Sequence, residues 1–206
     1  MMGGRLAAAL GLSLLALCAS SAPAQENEAG NPDPDRVENP VPFAEPSPEM
    51  RKADFLLGTW TLAETWSQPR RYKRGNYRGH PGDGGYGTAT CRLGPGDFSL
   101  ECDYQEHNPM GRVTSRTILS WDPSDRLYRL DRIHSAFPGI LRLSGGFEGG
   151  DLVFRGEDSS TGRRLPVRLV FTGWATDRLT ETLEVVDGKR ASPVVTIRFA
   201  RTPPVA

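Results

Sequence analysis

The sequence predicts an all-β protein, a single up-and-down antiparallel β-barrel of about ten strands. Three observations carry this. Gly (23) and Pro (17) are frequent, whereas Lys occurs only at positions 52, 73 and 189, a balance that favours turns over long helices. Turn chemistry recurs at short intervals: Gly94-Pro95-Gly96-Asp97, Asn108-Pro109-Met110-Gly111, Asp122-Pro123-Ser124-Asp125, Glu148-Gly149-Gly150-Asp151, Trp174-Ala175-Thr176-Asp177 and Asp187-Gly188. Between these turns apolar residues alternate with polar ones, as at Leu165, Val167, Leu169 and Phe171, the period of a half-buried strand.

These signals place strands at 57–66, 86–93, 98–105, 112–121, 126–135, 139–147, 151–157, 164–172, 178–186 and 192–201. Short connections imply that consecutive strands pair antiparallel. Ten strands in a row leave two raw edges, and closing the sheet removes both. An open two-sheet sandwich is the alternative. The helical candidate is Ser47–Phe55, a short turn suited to plugging one barrel end.

Two segments precede the domain. Arg5, the apolar run Leu6–Cys18 and the small-residue site Ala22-Pro23-Ala24 read as a signal peptide over 1–24, with Gln25 as the mature start. About 14 apolar residues are short for a bilayer span of roughly 20. Leu17 before Cys18 disfavours a lipoprotein signal. Residues 25–52 hold six prolines, seven acids and three bases, and have too little apolar surface to offset the entropy of ordering. They read as a disordered linker. The barrel domain is then 53–206, and the expected location is the periplasm or beyond.

The whole chain carries 25 bases and 25 acids, and Ala53–Ala206 carries 21 and 18, a net charge of about +3. This excludes a generic nucleic-acid binder, which needs a basic excess. No second membrane segment follows the N-terminus, and a monomer is the default.

Export removes Cys18, leaving Cys91 and Cys102. A hairpin closing on Gly96-Asp97 pairs Pro95 with Phe98, Leu93 with Leu100, and Cys91 with Cys102. In an oxidising compartment that pair forms a disulfide.

The opening Phe55-Leu56-Leu57-Gly58-Thr59-Trp60 is followed by Gly87-Thr88-Ala89-Thr90-Cys91, then Leu100-Glu101-Cys102, then Asn108-Pro109-Met110-Gly111, then Leu119-Ser120-Trp121-Asp122-Pro123. In order and spacing this resembles an uncharacterised lipocalin-like, calycin-type family of exported bacterial proteins, a domain of unknown function. The resemblance covers about residues 50–201 and implies the barrel without an activity. It implies that Gly58 lets the chain bend into the first strand, and that Trp60 covers the barrel floor beneath an arginine of the last strand, Arg198 or Arg201.

Catalytic and cofactor motifs are mostly absent. Gly82-x-Gly84-x-x-Gly87 matches a dinucleotide fingerprint in letters but lacks its βαβ context. His80, His107 and His134 are far apart, and no metal site or cofactor is expected. Arg70, Arg71, Tyr72, Lys73, Arg74, Tyr77 and Arg78 fall in the long connection after the first strand, where a lid over the barrel mouth would lie. Their charge would suit an anionic ligand end. Inside the barrel, Leu62, Glu64 and Trp66 share a face, as do Glu181 and Leu183. Tyr128 and His134 lie on a third mixed face, and Phe171 on the eighth strand. With Arg116, these nine residues form the expected ligand site, apolar with a few polar groups.

The function expected from this is binding of a small, largely apolar or amphipathic molecule. Three alternatives stand beside it. One is an envelope interaction module with a filled barrel. Another is a haem-type binder using His134, since barrels opening with Leu-Gly-Thr-Trp also resemble haem-binding calycins. The last is an isomerase or hydrolase using Glu64 and Glu181. Against it stands a plain structural role for these acids, as ion-pair partners of Arg112, Arg116 or Arg132.

Overall fold

The computed structural model describes residues 45–67, 82–160 and 162–203. The signal-peptide segment and most of the linker lie outside these residues. Ten strands follow: β1 Gly58–Trp66, β2 Gly84–Leu93, β3 Ser99–Asn108, β4 Gly111–Asp122, β5 Leu127–His134, β6 Ile140–Glu148, β7 Asp151–Asp158, β8 Leu165–Thr172, β9 Arg178–Asp187 and β10 Arg190–Arg201. Each pairs antiparallel with the next, and β1 also pairs with β10, from Trp60↔Arg201 to Trp66↔Val195. The sheet is therefore a closed up-and-down barrel rather than an open sandwich. Sequence boundaries match within one to three residues, the largest shift being β3, which runs on to Asn108.

Alternation sets the two faces. Along β1, Trp60, Leu62, Glu64 and Trp66 are buried while Thr59, Thr61 and Ala63 are exposed. The outer wall is laced with ion pairs, including Arg92 and Arg116 with Asp103, at 2.9 and 2.6 Å, and Arg168 with Glu184 at 2.6 Å. Charges along the outward rows suit contact with water, where a membrane barrel would carry an apolar band. No helix among the described residues is long and apolar enough to cross a membrane.

One end is plugged. A single helical turn, α1, spans Pro48–Arg51 and is capped by Ser47, whose Oγ accepts from the Glu49 amide; a 3-10 turn follows at Asp54–Leu56. Met50, Ala53 and Leu56 are buried beneath the barrel. The plug thus begins inside the last residues assigned to the linker, because Met50 has apolar surface to bury there. Tyr128 Oη donates to Glu49 O at 2.5 Å and Trp60 Nε1 donates to Leu56 O at 2.8 Å. An aromatic chain extends the plug: Phe55 stacks on Trp174 at 4.3 Å, and Trp174 meets Phe147 edge-on.

Arg201 seals this end. Its guanidinium lies 4.1 Å from the centre of the Trp60 ring and donates to Leu57 O at 2.6 Å and, through Nε, to Thr176 O at 2.7 Å. Arg198, the other candidate, is exposed on the outer face. An odd separation along a strand changes the face, so positions 198 and 201 point opposite ways. Gly58 has φ +114°, and an added Cβ there would collide with Arg201 Nη1. Both the bend and the arginine require glycine.

The β2–β3 hairpin holds the Cys91–Cys102 disulfide, in register with Leu93↔Leu100. Pro95 and Phe98 stand outside the ladder but are joined across the turn, Phe98 N donating to Pro95 O at 3.4 Å. Pro95–Asp97 make a 3-10 turn, with Gly96 and Asp97 at positive φ and Gly94 N donating to Ser99 O at 2.8 Å.

Candidate functional site

The barrel is filled at its plugged half and hollow towards the other. Trp60, Leu100, Leu119, Leu130, Leu152, Phe154, Leu169 and Phe171 are fully buried and pack the filled half. At the opposite end lies a cavity of about 90 Å³, walled by Glu64, Trp66, Tyr104, Glu106, Asn108, Ser115, Arg132, Leu183, Val194, Val195 and Ile197. His134–Leu141 and Asp158–Ser160 form its rim. The chain leaves β1 at Trp66 and re-enters β2 beside this rim, where Gly82 N donates to Trp66 O at 2.7 Å. The basic stretch Arg70, Arg71, Tyr72, Lys73, Arg74, Tyr77 and Arg78 lies outside the described residues.

Polar groups of the wall come from four strands. Glu64 is 4% exposed. Its Oε2 accepts from Trp66 Nε1 at 2.7 Å, the two side chains lying one above the other on the inner face of β1. Its Oε1 is buried and accepts from no donor. Glu106, on β3, reaches the same carboxyl. β1 and β3 are separated by β2, so this approach needs an explanation. Gly85 pairs with Glu64, and Gly87 lies between Leu62 and Glu106. An added Cβ at Gly85 would sit 2.9 Å from Glu64 Oε2, and one at Gly87 would strike Gln105 O. The inner face of β2 is bare there, and the two acids meet over it.

Burial pushes the Glu64 carboxyl up, opposed by the Trp66 indole and the neighbouring Glu106 and Asn108 side chains. Burial, then the Glu64 charge, pushes Glu106 up as well. Two carboxylates in contact have no donor between them, so ionising both at once is disfavoured.

Glu181 belongs to a different arrangement. Arg132 Nη1 and Nη2 donate to Glu181 Oε1 and Oε2 at 2.6 and 3.0 Å, and Arg132 Nε donates to Thr117 Oγ1 at 2.8 Å. The guanidinium also stands 5.3 Å from the Tyr104 ring centre. The structural ion-pair reading holds for this acid, with Arg132 as partner.

Of the nine residues expected at the site, Glu64, Trp66, His134 and Leu183 border the cavity. Leu62, Phe171 and Glu181 are buried beside or below it. Tyr128 is a correction: it faces inward but at the plugged end, bonded to Glu49 O. Arg116 is another: it is exposed on the outer wall and bound to Asp103, because even-numbered positions of β4 face water there. The expected acid pair of Glu64 with Glu181 is also replaced, by Glu64 with Glu106.

His134 Nδ1 accepts from the Ala136 amide at 3.2 Å, which puts the ring proton on Nε2. Among the described residues no group of three or more His, Cys, Asp or Glu side chains could hold a metal ion.

Sequence reasoning misses Glu106, Asn108, Ser115 and Tyr104. Their alternation on β3 and β4 is a usable signal, but a third strand ending at residue 105 leaves Glu106 and Asn108 in the turn. No known protein family matches this chain by sequence, and no curated protein matches it.

Proposed function

We propose that this is an exported, lipocalin-like carrier that takes a small, largely apolar molecule into the open half of its barrel. One observation carries the reading: the plugged end is packed with side chains, and a cavity of about 90 Å³ at the other end is lined by Trp66, Leu183, Val194, Val195 and Ile197 with a few buried polar groups. Small barrels either fill their interior with side chains or hold one small ligand, and a lined cavity favours the second. An apolar wall with converging polar groups is the ordinary make-up of a small-molecule site. The Cys91–Cys102 disulfide and the signal-like N-terminus support export.

The test is native mass spectrometry of residues 25–206, exported by a bacterial host and purified without detergent. A discrete extra mass of a few hundred daltons, released on denaturation, is the expected result. A bare protein mass, together with no thermal shift from any member of an amphiphile panel, would remove the carrier reading.

A further inference from the structure

The polar end of the ligand can be read from the cavity wall, taking the carrier reading above as given. The wall has two acids in contact, Glu64 and Glu106. Its one arginine among the described residues, Arg132, has both terminal nitrogens committed to Glu181. An anionic group entering here would meet carboxylates and no uncommitted guanidinium of the described wall.

A buried oxygen is costly to leave without a donor, and Glu64 Oε1 is such an oxygen. Water alone offers two donors and no charge. An ammonium offers three donors and the positive charge that two adjacent carboxyls call for. Trp66 is held beside Glu64 by its own N–H bond.

We infer that Glu64 and Glu106 form a site for a protonated amine carried on a short apolar body, with Glu64 Oε1 and Glu106 as the acceptors and Trp66 beside them. The remaining wall, Leu183, Val194, Val195 and Ile197, takes the apolar part.

The experiment is calorimetric titration of the mature chain at pH 7 with hexylamine, hexan-1-ol and hexanoate, which share a body and differ in the polar end. Hexylamine should bind at least tenfold more tightly than the other two. Glu64→Gln should bring hexylamine down at least tenfold while hexan-1-ol changes less than twofold, and Glu106→Gln should act the same way. Arg116→Gln, on the outer wall, should leave all three unchanged, and thermal melts confirm that each variant folds.

Hexanoate binding as tightly as hexylamine, or an amine preference that survives both glutamate variants, would overturn the inference. Binding of hexan-1-ol and hexanoate without hexylamine would overturn it while leaving the carrier reading in place. Binding of none of the three would overturn the inference, and the carrier reading would then be decided by the native mass and the amphiphile panel.

Discussion

Arg132 on β5 and Glu181 on β9 meet across the barrel interior, each terminal guanidinium nitrogen donating to one carboxylate oxygen, at 2.6 and 3.0 Å. The two strands are not neighbours in the sheet, so the pair ties opposite walls together below the cavity. Arg132 is 13% exposed and Glu181 1%. Removing one partner strands a charge in a dry interior, which typically costs about 3–5 kcal/mol. Arg132→Leu should therefore lower unfolding stability by that amount in urea denaturation. Arg132→Leu with Glu181→Leu should recover most of it. A double variant as unstable as the single one would show that the pair is not the source of the loss.

Arg201 and Arg198 give a sharper contrast, since both sit on β10 and only one touches the plug. Arg201→Ala loses the contact with Trp60, worth roughly 0.5–2 kcal/mol, and leaves Leu57 O and Thr176 O without their donor. The expected loss is about 2–4 kcal/mol by these contributions together. Arg198→Ala, on the exposed face, should stay within about 0.5 kcal/mol. Equal effects from the two would contradict the assignment of the plug arginine.

The Cys91–Cys102 bridge closes an 11-residue separation. A loop of that size contributes about 3 kcal/mol in the chain-entropy account. Cys91→Ser with Cys102→Ser should fold and lose about that much, and the unreduced mature chain should show no thiol to a thiol reagent. Two reactive thiols per chain would remove the bridge.

What is legible in the sequence follows from what local rules can carry. Strand positions are readable because hairpin turns such as Asn108–Gly111 and Glu148–Asp151 are written in Gly, Pro, Asn and Asp, and closure follows from the cost of open edges. The cavity is readable only in part. Glu64 and Trp66 show themselves on one strand by alternation, but the meeting of Glu64 with Glu106 depends on the register of three strands. It depends also on Gly85 and Gly87, of which Gly87 reads in one dimension as part of a loose nucleotide motif. Arg116 is misplaced for a related reason: its charge suggests a ligand contact, and its parity along β4 puts it on the wall facing water.

Glu64 and Glu106 make the fold sensitive to pH in a definite direction. Facing the pair are Glu181 with Arg132, Tyr104 and Asn108. Burial raises both carboxyls, and the Glu64 charge adds to the rise of Glu106, which is pushed up to about 8 from an ordinary 4.5. The folded protein therefore binds more protons than the unfolded chain between those values. The stability tied to these protons is fully present below about pH 4.5 and is lost as pH rises through about 8. Glu106→Gln keeps the shape, cannot ionise and can donate its amide to Glu64. It should stabilise the fold by about 1–2 kcal/mol at pH 8.5, since a tenfold change in proton affinity corresponds to roughly 1.4 kcal/mol, and change it little at pH 5. Paired melts at the two pH values measure this. A variant less stable than the parent at pH 8.5, or equally affected at both, would show that the two carboxyls are not in conflict in the folded chain.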